Sequence, residues 1–149
     1  DKNRSYMEQE RFDEILKHFD NEFNAFVGKK FEKFMISLIK EKKILSEMEV
    51  DHIGNQWGKS DVGAYEIDIV ALNDQKKEIL FGECKWKEKV NTLVILKELQ
   101  EKAAFVDWNM ETRKEIFVVF AKSFSKKTSE FSGRKVYCFD LKDIEKFLR

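Results

Sequence analysis

Residues 64–86 read AYEIDIVALNDQKKEILFGECKW. Two apolar runs, residues 66–72 and 79–86, flank the polar stretch 73–78. β-Branched residues crowd the first run and turn formers fill the gap, so the segment predicts a β-hairpin. A tight turn at Gln75-Lys76 sets Leu72 opposite Ile79, Val70 opposite Phe81 and Asp68 opposite Glu83. Any loop with an even number of residues keeps Asp68 and Glu83 on one face. Directly opposed residues hold their Cβ atoms roughly 4.5–5.5 Å apart, and two carboxylates so placed repel. Lys85 lies two residues beyond Glu83 and shares its face. Two acids and an ammonium there suit a hard divalent cation and a phosphate. The same register sets Glu66 opposite Lys85, so ordinary cross-strand ion pairing is the structural alternative.

Upstream of the hairpin, residues 29–45 predict a helix. Phe31, Met35, Leu38, Ile39 and Lys42 follow one face, and Glu32 falls on the edge of that stripe. Residues 5–27 predict a separate helix with Phe12, Ile15, Leu16, Phe19, Phe23 and Phe26 at helical spacing, broken at Gly28. That helix either packs on the domain or docks on a neighbouring one. Residues 47–57 read as a strand ending at Trp57, before the turn 58–61. His52 reads as a sheet or core histidine.

Downstream, Asn91 or Thr92 caps a helix whose stripe is Leu93, Leu96, Leu99, Ala103 and Val106, with Lys97 and Gln100 on its flanks. EIFVVFA at 115–121 predicts a strand covered on both faces. Residues 122–135 read as a mobile loop carrying Lys122, Lys126, Lys127, Arg134 and Lys135. Such a loop suits a phosphate backbone, and a solvated basic loop is the plain alternative. Residues 136–139 form a last strand, and Asp140 caps a terminal helix bearing Leu141, Ile144 and Phe147. The order α-α-β-β-β-α-β-β-α implies a three-layer α/β domain with a mixed central sheet.

The composition places this chain among globular proteins: 149 residues, 42% hydrophobic and 38% charged, are expected to form one domain around a real core. Two cysteines make no disulfide framework, and Cys84 and Cys138 read as small strand thiols. No apolar run approaches the roughly 20 residues of a membrane span and no signal peptide appears, so a cytoplasmic, reducing location without membrane contact is expected. The formal net charge is zero, yet residues 101–149 carry 11 basic against 8 acidic side chains. There is no glycine-rich phosphate loop, no Cys/His zinc pattern and no triad context for the two histidines.

Asp68 on one strand followed by Glu83-Cys84-Lys85 on the next resembles the core of the PD-(D/E)XK nuclease superfamily. The wording EIDIVAL followed by FGECKW, with Trp57-Gly58 ahead of it, is closer still. It resembles the nuclease-like domain that follows the P-loop module in a group of archaeal ATPases. The resemblance covers residues from about Phe12 to Lys102. No proline precedes Asp68; the chain contains none.

The resemblance implies a restriction-endonuclease-like fold and metal-assisted hydrolysis of DNA phosphodiester bonds. Asp68 and Glu83 would bind Mg²⁺ or Mn²⁺, with the Cys84 carbonyl, and Glu32 would complete the shell directly or through water. Lys85 would orient the attacking water or stabilise the transition state. Gln100 is the helix residue expected to reach the site. The expected partners are DNA, a P-loop ATPase domain ahead of Asp1 against which residues 1–27 would rest, and a second copy in a homodimer. The alternative is a catalytically inactive nuclease-fold module for DNA binding or protein docking.

Overall fold

Apolar residues at helical spacing over the first forty positions build one helix, where two were expected. The computed structural model describes residues 2–148. Helix α1 runs unbroken over Lys2–Lys40. A glycine inside a helix costs only about 1 kcal/mol against alanine, and packing overrides it. A Cβ on Gly28 would lie 4.0 Å from the Trp86 Cβ, so the helix passes close to the end of the hairpin there. Phe31, Met35, Leu38 and Ile39 are buried as their stripe predicts, while Lys42 lies in the turn beyond the helix.

Strand β1 (His52–Ser60), β2 (Gly63–Asn73) and β3 (Glu78–Lys85) follow. The strand expected from residue 47 starts only at His52. Next come β4 (Val90–Asn91), α2 (Thr92–Ala103) and β5 (Lys114–Ala121). Then β6 (Phe124–Lys126), β7 (Glu130–Phe131), β8 (Arg134–Phe139) and α3 (Leu141–Phe147) complete the described chain. The main sheet has the order β1-β2-β3-β5-β8-β7. Its first three strands are antiparallel, β3, β5 and β8 are parallel, and β7 closes the edge antiparallel to β8. A parallel pair β4-β6 forms a second, small sheet.

The hairpin register is the expected one: Leu72 pairs with Ile79 and Val70 with Phe81. One apolar cluster packs α1 and α3 on one face of the sheet, and a second packs α2 on the other. β5 is buried over Ile116–Ala121, as its uninterrupted apolar sequence requires. Asn91 caps α2 by accepting from the Leu93 N–H, and Asp140 caps α3 in a reciprocal capping box with Asp143. Residues 122–135 are tied down, contrary to the mobile loop expected. The Thr92 hydroxyl donates to the Lys126 carbonyl at 2.6 Å, and Lys127 reaches Asp143 at 2.7 Å. Among the described residues no helix is long and apolar enough to cross a membrane.

Arg113 locks the turn after α2. Its guanidinium donates to the carbonyls of Ala103, Val106 and Trp108 and pairs with Glu115, which also holds Arg134. Arg113→Met leaves the Trp108 carbonyl without this donor and Glu115 with Arg134 alone. It is expected to lower stability by about 1–3 kcal/mol, measured by urea unfolding.

Candidate active site

The site grows from an irregularity in β2. Between the pairs Gly54–Val70 and Gln56–Ile67, β2 holds one residue more than β1. A bulge of this kind switches the face on which side chains emerge. Ile67 therefore packs on the α2 side, while Ile69 packs beneath α1. Asp68 lies in the bulge. The β2–β3 ladder ends at Ile69–Gly82, one step short of the expected Asp68–Glu83 pair. The Asp68 carboxylate instead accepts the Cys84 N–H at 2.9 Å. Past this point the sheet opens, and groups from both of its faces meet.

Glu83 is nearly enclosed, at 3% exposure. Its position depends on Gly82. A Cβ at residue 82 would stand 2.8 Å from the Val118 Cγ1 and 3.1 Å from the Ile69 Cβ, so only glycine lets the strand lie so close to its neighbours. From the α2 side the Lys102 ammonium reaches the Glu83 carboxylate at 3.0 Å. From the α1 side Glu32 is buried, and Lys29 lies 3.8 Å from Glu32 and 3.5 Å from Glu66. Glu32, Glu66 and Asp68 each offer an oxygen within 4.8 Å of the others. One open cleft is lined by all of these and by Cys84 and Lys85. Among the described residues Lys85 makes no ion pair. The expected cross-strand partner of Lys85, Glu66, turns to Lys29 instead.

The electrostatics are those of crowded carboxylates. Burial, followed by a hydrogen bond to and repulsion from Asp68, pushes the Glu83 carboxyl up to about 8, against the pull of Lys102. Burial and then Asp68 also raise Glu32, with Lys29 opposing. Glu32 and Glu66 in turn raise the Lys29 ammonium. Burial drives the Cys84 thiol well above its ordinary value. Burial first, and the neighbouring Asp68 carboxylate second, favour the protonated form of Glu83, and the clustered carboxylates leave an excess of negative charge in the cleft. An all-oxygen donor set with that excess fits a hard divalent cation, and Glu32, Glu66, Asp68 and Glu83 are the residues to hold it.

Five residues singled out from the sequence thus meet in the cleft: Glu32, Asp68, Glu83, Cys84 and Lys85. Gln100 does not join them; it lines a separate cleft with Arg113 and Arg134. Lys102, two residues further along α2, takes the place expected for Gln100. It follows Leu99 by three residues, on the edge of the buried stripe, which is the signal that marks it. Glu66 and Lys29 were also missed as site residues. Lys29 is one turn ahead of Glu32, so it follows once Glu32 is turned inward.

The five basic residues of 122–135 do not form one patch. The cleft lies at the end of the sheet where Lys85 pairs with Ala121. Lys135 pairs with Ile116, five residues down β5, which puts it and Arg134 about 15 Å or more away along the strands. Arg134 is engaged by Glu115, Lys135 lies over the Tyr137 ring, and Lys127 is held by Asp140 and Asp143. Lys122 is at the cleft end, 4.5 Å above the Trp86 ring. Its N–H donates to the Lys87 carbonyl, so Lys85, Lys87 and Lys122 share that end of the sheet.

A family model described as archaeal and bacterial proteins of unknown function, DUF234, matches residues 1–115. That span contains all the cleft residues named here. An uncharacterized protein of Methanocaldococcus jannaschii, MJECL04, is 29% identical over 148 residues, covering 95% of this chain and 30% of the relative. The chain thus spans about a third of the length of the curated relative it matches. No solved structure matches the chain.

Proposed function

We propose a function for a chain that belongs to the DUF234 family of archaeal and bacterial proteins: metal-dependent hydrolysis of DNA phosphodiester bonds, on a restriction-endonuclease-like fold of the PD-(D/E)XK type. The observation that carries it is the cleft in which Asp68, Glu83 and Lys85 converge with Glu32, Glu66 and Lys102. A bound Mg²⁺ or Mn²⁺ would neutralise charge on the scissile phosphate and make water more acidic. Lys85, which lines the cleft and has no carboxylate partner among the described residues, would donate to a phosphate oxygen as negative charge builds. Lys102 holds the Glu83 carboxylate in place. In the longer protein, a linked P-loop ATPase would couple this activity to nucleotide hydrolysis.

Melting in the presence of Mn²⁺ tests the binding step. A ligand at a hundredfold excess over its Kd stabilises by about 2.7 kcal/mol, or roughly 5–10 °C for a chain of this size. Asp68→Asn is expected to remove that rise, and to leave metal-free stability equal or higher because one crowded charge is gone. Insensitivity of the wild type to millimolar Mn²⁺, together with a destabilised Asp68→Asn, would make these acids structural.

DNA contact is assigned to the basic end of the sheet. Lys87→Ala with Lys122→Ala is expected to weaken DNA binding and to lower the salt slope by about one per lost contact. Arg134 and Lys135, at the far end, are expected to leave it unchanged, and titrations at two salt concentrations distinguish the two sets. The second reading, an inactive module for DNA binding or docking, rests on one observation. The Lys102 ammonium already pairs with the Glu83 carboxylate at 3.0 Å, so that carboxylate has a partner without a cation.

A further inference from the structure

The first half of α1 stands clear of the core. Every residue from Asn3 to Phe26 is exposed, a rod of about 36 Å at 1.5 Å per residue. It nevertheless carries a continuous apolar stripe. Phe12, Leu16, Phe19, Phe23 and Phe26 are spaced four, three, four and three residues apart, and they are 46–65% exposed. With Ile15 they present about 700–800 Å² of side-chain surface, above the 300–600 Å² of a typical largest patch. That is also about what each partner contributes to a stable dimer, roughly 800 Å².

The stripe cannot fold back on its own domain, because α1 continues without a break into the docked turns at Phe31 and Met35. A period of 3.5 residues is the seam of helix-on-helix packing. Residues 8–22 carry Glu8, Glu10, Asp13, Glu14, Asp20 and Glu22 against Arg11 and Lys17. An acidic flank disfavours both an anionic membrane and a nucleic acid. It is matched within the same helix. The seam continues through the exposed Lys30 and Lys33, and Lys30 already lies 5.5 Å from the Phe26 ring on this face.

We propose that the stripe is a self-association surface: two copies of this chain pair antiparallel along α1, about a two-fold axis near Asn21. In that arrangement Phe19 of each copy meets Phe23 of the other, and Leu16 meets Phe26. Lys33 of each copy lies beside Glu8 of the other, and Lys30 reaches the Phe12 end of the partner's stripe. An isologous pair is self-complementary, so one stripe serves both copies.

Sedimentation equilibrium of the full chain tests this. The wild type is expected to be a dimer at micromolar concentration. Phe19→Glu with Phe23→Glu should weaken association by about a hundredfold or more and reduce helical ellipticity. Its melting transition should persist, since both residues are exposed and outside the core. Lys33→Glu should weaken self-association, and mixing that variant with Glu8→Lys should restore dimers. A monomeric wild type overturns the proposal and leaves the stripe to a different protein. A dimer that survives the phenylalanine substitutions also overturns it.

Discussion

Lys85→Met is expected to cut phosphodiester cleavage by about 10²–10³-fold while leaving the Mn²⁺-dependent rise in melting temperature in place. The two effects separate because the roles do. Lys85 has no carboxylate partner among the described residues, so removing it strands no acid in the cleft. The groups that would hold a cation, Glu32, Glu66, Asp68 and Glu83, remain. What is lost is the one ammonium in the cleft that is not already matched to a carboxylate; Lys29 and Lys102 both are. A substitution in the hydrophobic direction also preserves the aliphatic stem and its packing. If cleavage survives Lys85→Met within a few fold, transition-state stabilisation by this lysine is wrong. If metal stabilisation disappears with it, Lys85 is supporting the fold of the site instead.

The second large effect is a pH dependence centred on Glu83, whose carboxyl is pushed up to about 8 in the folded protein. An unfolded glutamate titrates near 4.3. Between those values the folded state holds more protons than the unfolded chain. Metal-free stability is therefore greatest below the lower value and falls as pH rises to about 8, by an amount on the order of a few kcal/mol. A divalent cation must displace the same proton. Mn²⁺ affinity is thus expected to climb by up to about tenfold per pH unit below 8 and to level off above it. Glu83→Gln cannot ionise and should flatten both profiles. Calorimetric titration at pH 6, 7 and 8 reads the affinity, and melting without metal reads the stability. A wild-type affinity that does not change with pH would mean that Glu83 is not a ligand.

The hairpin was legible because its register depends on local features. An even loop and two apolar runs leave Leu72 opposite Ile79 and Val70 opposite Phe81. Glu32 was legible because the stripe Phe31, Met35, Leu38 turns its edge toward the sheet. The bulge at Asp68 was not. An extra residue in β2 leaves no mark on the hydrophobic pattern, since Ile67 and Ile69 are apolar whichever face each takes. The cleft therefore holds the expected acids in a different arrangement, with Asp68 bound to the Cys84 N–H instead of paired in the ladder. Gly28 misled for a related reason: its helix-breaking tendency is worth about 1 kcal/mol, less than the burial of the residues just past it. On α2, flank position alone did not separate Gln100 from Lys102. The choice depends on the direction from which Glu83 approaches, which is a tertiary fact. The spread of the basic segment was hidden similarly, because composition cannot show that Arg134 and Lys135 begin a strand whose other end lies toward the cleft.

The most direct test is hydrolysis of branched, duplex and single-stranded DNA by the wild-type chain and by Asp68→Asn, with Mg²⁺ or Mn²⁺ and with chelator. The account predicts cleavage of at least one substrate that requires the divalent cation and is lost in Asp68→Asn. Cleavage that persists equally in Asp68→Asn, or a wild type that binds Mn²⁺ yet leaves every substrate intact, would contradict it.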